Sequence, residues 1–347
     1  MYLARMLQQM PGVEIVAACD VYEPRRLEAA EKMGAQAKPA ADYREVLDNK
    51  GVDAVVIGAP DHWHTPMTLD AVAAGKDVYV EKPVTHTLEE GDRLIAGVEK
   101  SGRVVATGTQ QRSWDHYLLA KQIVESGRLG QVTLVHCYWY QNSLRRRPVE
   151  IDAARLDWKS WLGPARDQPF DPLRYRRWRF YWDFGGGIFT DLMTHWIDVI
   201  QWYLKAPMPK SVAASGALHA LDWECPDTVN AAIQFPGNFT VVYTGTMVGS
   251  LEGGGILFRG SEGMLKLNRD GFWLYREGII PVEGTSLPEA AMAVKSTGDG
   301  TVTNLENWLA SMRSRATPNA NVRAGVEAAR TAHLANQAMR GGRMVSL

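Results

Sequence analysis

The stretch Asp77-Val78-Tyr79-Val80-Glu81-Lys82-Pro83 decides the reading of the fold. Val78, Tyr79 and Val80 form an unbroken apolar run that stops at an acid, a base and a proline. A strand buried on both faces ends this way at the rim of a parallel sheet. Working outward, short apolar runs recur at 14–19, 53–57 and 104–107, and the stretches between them, 25–33, 43–49, 66–74 and 88–100, read as helices. Strand, helix, strand is the rhythm of βαβ units, so residues up to about 128 are predicted to form a doubly wound, Rossmann-like parallel sheet. Ligands of such a sheet bind beyond the carboxyl ends of its strands. Asp20, the stretch 61–64 and Glu81-Lys82 all fall there.

Past Gly130 the rhythm changes. A long strand at 131–140 leads into an irregular, Trp- and Arg-rich stretch at 141–187 and then a helix at 188–204. Runs at 212–220, 228–235, 239–246, 255–259, 264–268 and 272–275 follow, with Gly and Pro between them, and predict an open antiparallel sheet of about six strands in an α+β domain. One face of that sheet lacks helices of its own, which suggests a homo-oligomer formed through it. At 347 residues the chain is too long for one core. The expected division is a dinucleotide-binding domain at 1–128, a substrate-binding and oligomerisation domain at 129–320, and a C-terminal helix within 321–347.

A formal net charge of -1 with both signs mixed argues against nucleic acid or a membrane surface and for a small-molecule partner. Cys19, Cys137 and Cys225 are far apart and form no Cys-x-x-Cys spacing, so neither a disulfide framework nor a zinc site is expected. No run approaches the ~18 apolar residues of a membrane span. The expected location is cytoplasmic, with an export signal upstream of Met1 left open.

Asp20 ends the run 14–19, where a carboxylate accepts bonds from the adenosine ribose hydroxyls; it disfavours a 2′-phosphate, so NAD is expected before NADP, although Arg25 and Arg26 stand near. The glycine-rich phosphate loop belongs about 20 residues before such an acid. Counting back reaches Met1, and residues 2–10 read as the body of a helix without a cap. The expectation is a chain cut at its N-terminus, and at its C-terminus too. The alternative is a protein that has lost dinucleotide binding.

Lys82, at the sheet rim, is poised to donate to a substrate hydroxyl oxygen. Asp191 and His195 are four apart on a predicted helix and share a face, with Asp198 nearly one turn further. A carboxylate beside an imidazole orients it, so His195 can take the proton of an alcohol. Gly185-Gly186-Gly187 just before them lets backbone approach a ligand closely. Gln110, Gln111 and Arg112 follow the run 104–107 and are placed over the cleft near the nicotinamide ribose. Seven of the twelve tryptophans lie between Trp139 and Trp202, interleaved with Arg145–Arg147, Arg174, Arg176, Arg177 and Arg179. Aromatic rings and guanidinium groups suit single-stranded nucleic acid or a sugar cleft, and the near-neutral charge favours the sugar. Arg112, Arg179, Tyr181, Trp182 and Asp183 are the expected substrate contacts, together with Lys82, Asp191 and His195. A metal site at His62, His64 and His86 is not expected.

Ala59-Pro60-Asp61-His62-Trp63-His64, Tyr79-Val80-Glu81-Lys82-Pro83 and Gly185-Gly186-Gly187-Ile188-Phe189-Thr190-Asp191-Leu192-Met193-Thr194-His195-Trp196-Ile197-Asp198 together resemble the Gfo/Idh/MocA oxidoreductase family over nearly the whole chain. The resemblance implies hydride transfer between nicotinamide and a sugar, polyol or glycoside carbinol, with Lys82, Asp191 and His195 as the reacting groups. It also implies that Pro60, Asp61 and His64 line the nicotinamide side, with Glu81 holding Lys82 or the cofactor. Many members carry Asn where this chain has Asp61. Two other readings stay open: glycoside cleavage by transient oxidation and elimination, and a non-catalytic ligand-binding protein.

Overall fold

The computed structural model describes residues 1–144, 150–278 and 289–347. The first part runs α1 (Tyr2–Gln8), β1 (Ala17–Cys19), α2 (Glu23–Met33), β2 (Lys38–Ala40), α3 (Tyr43–Asp48), β3 (Ala54–Ile57), α4 (Asp61–Ala73), β4 (Asp77–Val80), α5 (Glu90–Ser101), β5 (Val105–Thr107) and α6 (Asp115–Glu125). β3, β4 and β5 form one parallel sheet. Val78 and Val80 of β4 bury against α4 and α5, whereas Tyr79, on the other face, packs with Leu7, Leu305 and Trp308. Both faces are covered, which is why the strand reads as a continuous apolar run. β1 and β2 form a separate parallel pair. β1 and β3 therefore each keep one edge without a strand partner among the described residues, and Val56 of β3 is 38% exposed. α4 begins five residues before the predicted 66: Pro66 is inside the helix, where its ring ends no element.

The second part runs β6 (Val132–Tyr140), α7 (Trp158–Leu162), α8 (Pro172–Arg176), a π-helical turn at Phe189–Met193, α9 (Thr194–Leu204), β7 (Ser211–Ala217), β8 (Thr228–Phe235), β9 (Phe239–Thr246), β10 (Gly254–Gly260), β11 (Gly263–Asn268), β12 (Gly271–Arg276), β13 (Met292–Lys295), α10 (Gly300–Ser314), α11 (Val322–Gly341) and β14 (Val345–Ser346). The expected six-stranded antiparallel sheet is instead a mixed sheet of nine strands, in the order β13-β12-β11-β10-β6-β9-β8-β7-β14. β6 lies between β10 and β9 and runs parallel to β9, from Leu134↔Thr240 to Tyr140↔Thr246. Strand alternation reports which face a residue uses but not which neighbour its strand chooses, so the central place of β6 was not readable locally.

One sheet face packs on α9 and α11 through Val135, Cys137, Val241, Tyr243, Ile256 and Phe258. The opposite face carries His136, Tyr138, Tyr140, Val242, Leu257 and Trp273, all partly exposed, and among the described residues no helix lies over them. α10 and α11 return to the first sheet. Asn304 of α10 donates to Tyr79 Oη (3.1 Å) and the Thr107 carbonyl (2.9 Å), and Thr107 N donates to the Ala320 carbonyl (2.7 Å). Residues 300–326 thus pack with the parallel sheet, across the division expected at 320.

Candidate active site

β4 delivers Glu81 and Lys82 to the sheet rim, where the Lys82-Pro83 peptide is cis. Lys82 Nζ donates to the Asp191 carboxylate (2.7 Å) and to the Asp191 carbonyl (2.6 Å), joining the rim to the turn that leads into α9. Both side chains are largely buried, 12% and 15% exposed, so the charges are little screened. Arg179 Nε donates to the same carboxylate at 3.2 Å. Burial alone would raise the Asp191 carboxyl, but the Lys82 and Arg179 charges and hydrogen bonds outweigh it and hold the group below the ordinary range. At Glu81 and Asp61 that compensation is incomplete. Burial raises both, Asp61 strongly, and Lys82 and Arg179 offset it in part. Gly108 makes this crowding possible, since a Cβ there would lie 2.5 Å from Glu81 Oε2.

His195 is buried one turn further along, stacked on Trp139 with ring centres 5.5 Å apart. Burial first, then the charges of Lys82 and Arg269, hold it well below its ordinary 6.5, so it is a neutral imidazole at neutral pH. Its buried Nδ1 has no hydrogen-bond partner among the described residues. The expected orientation of His195 by Asp191 is therefore not what the structure shows: the carboxylate is taken by Lys82 and Arg179. The reason is local. Asp191 lies in a π-helical turn, whose wider winding moves side chains off the i, i+4 face that an α-helix would give.

The cofactor candidates line the carboxyl ends of the strands. Pro60 precedes α4, Asp61 opens it and is buried, and half-buried Gln110 opens the turn Gln110–Ser113 after β5. His64 is held between the Pro83 carbonyl (Nδ1, 2.6 Å) and the Ala59 carbonyl (Nε2, 2.8 Å), bridging β3 to the cis-proline turn. Burial lowers it to about 4, so as a neutral ring it donates to only one of the two. Asp20 ends β1; its Oδ1 accepts from Tyr22 N (2.8 Å), leaving the other oxygen for a ligand, and Arg25 stands over the Tyr175 ring. This set fits the ribose and nicotinamide portions of a dinucleotide: one free carboxylate oxygen at Asp20, and polar groups gathered at the ends of β3, β4 and β5.

Several expected substrate contacts lie elsewhere. Arg112 Nε is bonded to buried Asp198 (2.8 and 3.0 Å) and lines a cavity of about 320 Å³ with Gln201, Trp202 and Glu327, away from Lys82. Burial raises the Asp198 carboxyl, and the charge and hydrogen bonds of Arg112 offset this in part. Tyr181 is buried in the core under Arg174, and Asp183 is clamped by Arg174 at 2.8 Å. Half-buried Trp182 carries Arg340 over its ring, and its carbonyl lies 3.1 Å from His86 Nε2. Arg179 alone of that group reaches the site. Arg145–Arg147 fall outside the described residues. His62 is 3.2 Å from the Trp161 carbonyl rather than joined with His64 in a ligand set. Trp139 and Arg269 were not foreseen. Trp139 sits in a strand where alternation marks burial alone, and Arg269 sits in a turn, where no periodicity operates.

Residues 1–109 match the family model described as oxidoreductase family, NAD-binding Rossmann fold, and residues 117–266 match the GFO/IDH/MocA C-terminal domain. The inositol 2-dehydrogenase of Salmonella typhimurium is 34% identical over 143 residues, 41% of this chain and 43% of that protein. The scyllo-inositol 2-dehydrogenase (NAD(+)) of Bacillus subtilis is 27% identical over 213 residues, 61% of this chain and 52% of that one. The chain thus spans about half the length of the curated relatives it matches. Among solved structures, myo-inositol 2-dehydrogenase from Lactobacillus plantarum superposes with TM-score 0.74 at 21% identity, covering 99% of this chain and 95% of that one. Aldose-aldose oxidoreductase from Caulobacter crescentus gives 0.75 at 19%, with the same coverages. These likenesses show a shared fold. With both of its halves matched in order, the chain belongs to the GFO/IDH/MocA oxidoreductase family.

Proposed function

We propose that the protein oxidises a secondary hydroxyl of a polyol, sugar or glycoside with NAD. The observation that carries this reading is the bond from Lys82 Nζ to Asp191, which sets an ammonium at the sheet rim within one turn of a buried, neutral histidine. NAD, when bound, supplies the hydride acceptor. Asp20 holds its ribose and disfavours a 2′-phosphate, while Pro60, Asp61, His64, Glu81 and Gln110 shape the nicotinamide side. Lys82 has three N–H groups and Asp191 occupies two, so one remains to donate to the substrate oxygen. His195, kept a neutral imidazole by burial and by the Lys82 and Arg269 charges, takes the hydroxyl proton on its unprotonated ring nitrogen. Arg179, half-exposed beside Asp191, binds substrate hydroxyls. The dehydrogenases of inositols among its relatives make a cyclitol or related polyol the first substrate to try.

The decisive experiment measures NAD binding by calorimetry and NADH formation on a panel of inositols, sugars and aryl glycosides. NADH formed with a cyclitol or sugar supports the reading. Phenol released without accumulating NADH would replace it by glycoside cleavage, and absence of NAD binding would sink it. Assembly belongs to the same proposal: the uncovered sheet face of His136, Tyr138, Tyr140 and Trp273 is read as the contact between two copies of this chain. Among the described residues no helix is long and apolar enough to cross a membrane.

A further inference from the structure

Arg269 sits at the tip of the hairpin between β11 and β12, and its backbone is fixed on both sides. Asn268 Oδ1 accepts from Asp270 N (2.9 Å) and Gly271 N (3.1 Å), and the Asn268 carbonyl lies 2.9 Å from His116 Nε2. From this tip the side chain folds inward. Its guanidinium carbon lies 4.9 Å from the centre of the Trp139 ring, the same ring that stacks on His195. Nε is buried without a partner, and among the described residues no carboxylate forms an ion pair with Arg269. Asp299 and Glu81 act on it only through space, and Asp299 is itself bonded to Tyr2 Oη and Thr301 N. Two further buried polar atoms within reach of its charge, His195 Nδ1 and Tyr117 Oη, are also unpartnered.

A half-buried cation with no counter-ion is costly, and contact with a ring face offsets only part of that cost. In other enzymes such a group is satisfied by a ligand, and the fork of a guanidinium matches a carboxylate. Space is present. A cavity of about 220 Å³ is bounded by Arg269, Asn268, Trp139, Trp196, Gly253 and Gly254, many times the volume of a water. Glu252 and Asp270, the carboxylates that border it, are exposed at its rim and leave the guanidinium unpaired. Resting on the dehydrogenase reading, we propose that Arg269 is an anion receptor and that the substrate is a sugar or cyclitol bearing a carboxylate, gripped by Arg269 while its carbinol faces Lys82 and His195.

The test compares D-glucuronate with D-glucose, which differ only in the carboxylate, by calorimetry on the wild-type protein, Arg269→Met and Arg269→Lys, each checked for an unchanged melting temperature. Glucuronate should bind about tenfold or more tighter than glucose, as one charge-assisted contact gives. The difference should vanish in Arg269→Met and return in part in Arg269→Lys, with NAD affinity unchanged throughout. Equal binding of the two sugars, or binding of neither, overturns the proposal. So does a loss of NAD affinity in Arg269→Met without sugar, which would give the guanidinium to a cofactor phosphate. Oxidation of neutral polyols alone, unaltered in Arg269→Met, removes the receptor and keeps the dehydrogenase. Selective glucuronate binding without any NAD binding does the reverse.

Discussion

Asp191 keeps its charge at the sheet rim because two cations face it; burial alone would raise its carboxyl. Replacing Lys82 by Met leaves Arg179 as the one cation bonded to Asp191 and removes the donor to the substrate oxygen. Turnover should fall by roughly 10²–10⁴ with circular dichroism unchanged; a kcat within tenfold of wild type would take Lys82 out of the chemistry. His195 gives a pH prediction of definite sign. Its imidazole is held well below 6.5, so the free base persists as pH falls through that value. kcat/KM for alcohol oxidation should therefore stay level as pH drops from about 8 to about 6, where an unperturbed histidine would lose more than half its base form. A fall centred near 6.5 would remove His195 as the base. At this scale the sequence was partly legible. Lys82 announces itself because a charge ending an apolar strand has a readable position. Tyr181 misled because an aromatic beside a glycine turn does not say which side it buries.

Between elements, single polar contacts hold the second layer to the first. Arg112, in the turn after β5, reaches across to Asp198 on α9 and passes over Trp202. Its replacement by Met leaves Asp198 buried without a cation and should cost on the order of 3–5 kcal/mol of stability, read as a lower denaturant midpoint, with KM for substrate changed less than about twofold. A large rise in KM at unchanged stability would restore Arg112 to the substrate cleft. α5, with its apolar residues on one face, was readable from its periodicity. The π-helical turn before α9 was not. The turn packs against α11, β6 and β9, contacts distant in sequence, while its local composition is that of an ordinary helix.

For the whole molecule, the uncovered face of the nine-stranded sheet gives the assembly prediction. Tyr138→Arg places a charge amid Tyr140, His136 and Leu257, and light scattering should show the assembled species shift toward monomer, while the buried face and the fold are left intact. A wild-type protein that is monomeric at all concentrations would dismiss this interface. The order of βαβ units, the strand ends that carry Asp20, Asp61 and Glu81-Lys82, and the helix bearing His195 were determined by the sequence itself. Hydrophobic period and strand termini are local properties, set by residues within a few positions of one another. Tertiary structure alone decided that Lys82 meets Asp191 109 positions away, that β6 lies beside β9, and that Arg269 comes to rest on the ring that stacks on His195. Those outcomes depend on which buried faces and charges can satisfy one another in space, and no local pattern encodes that choice.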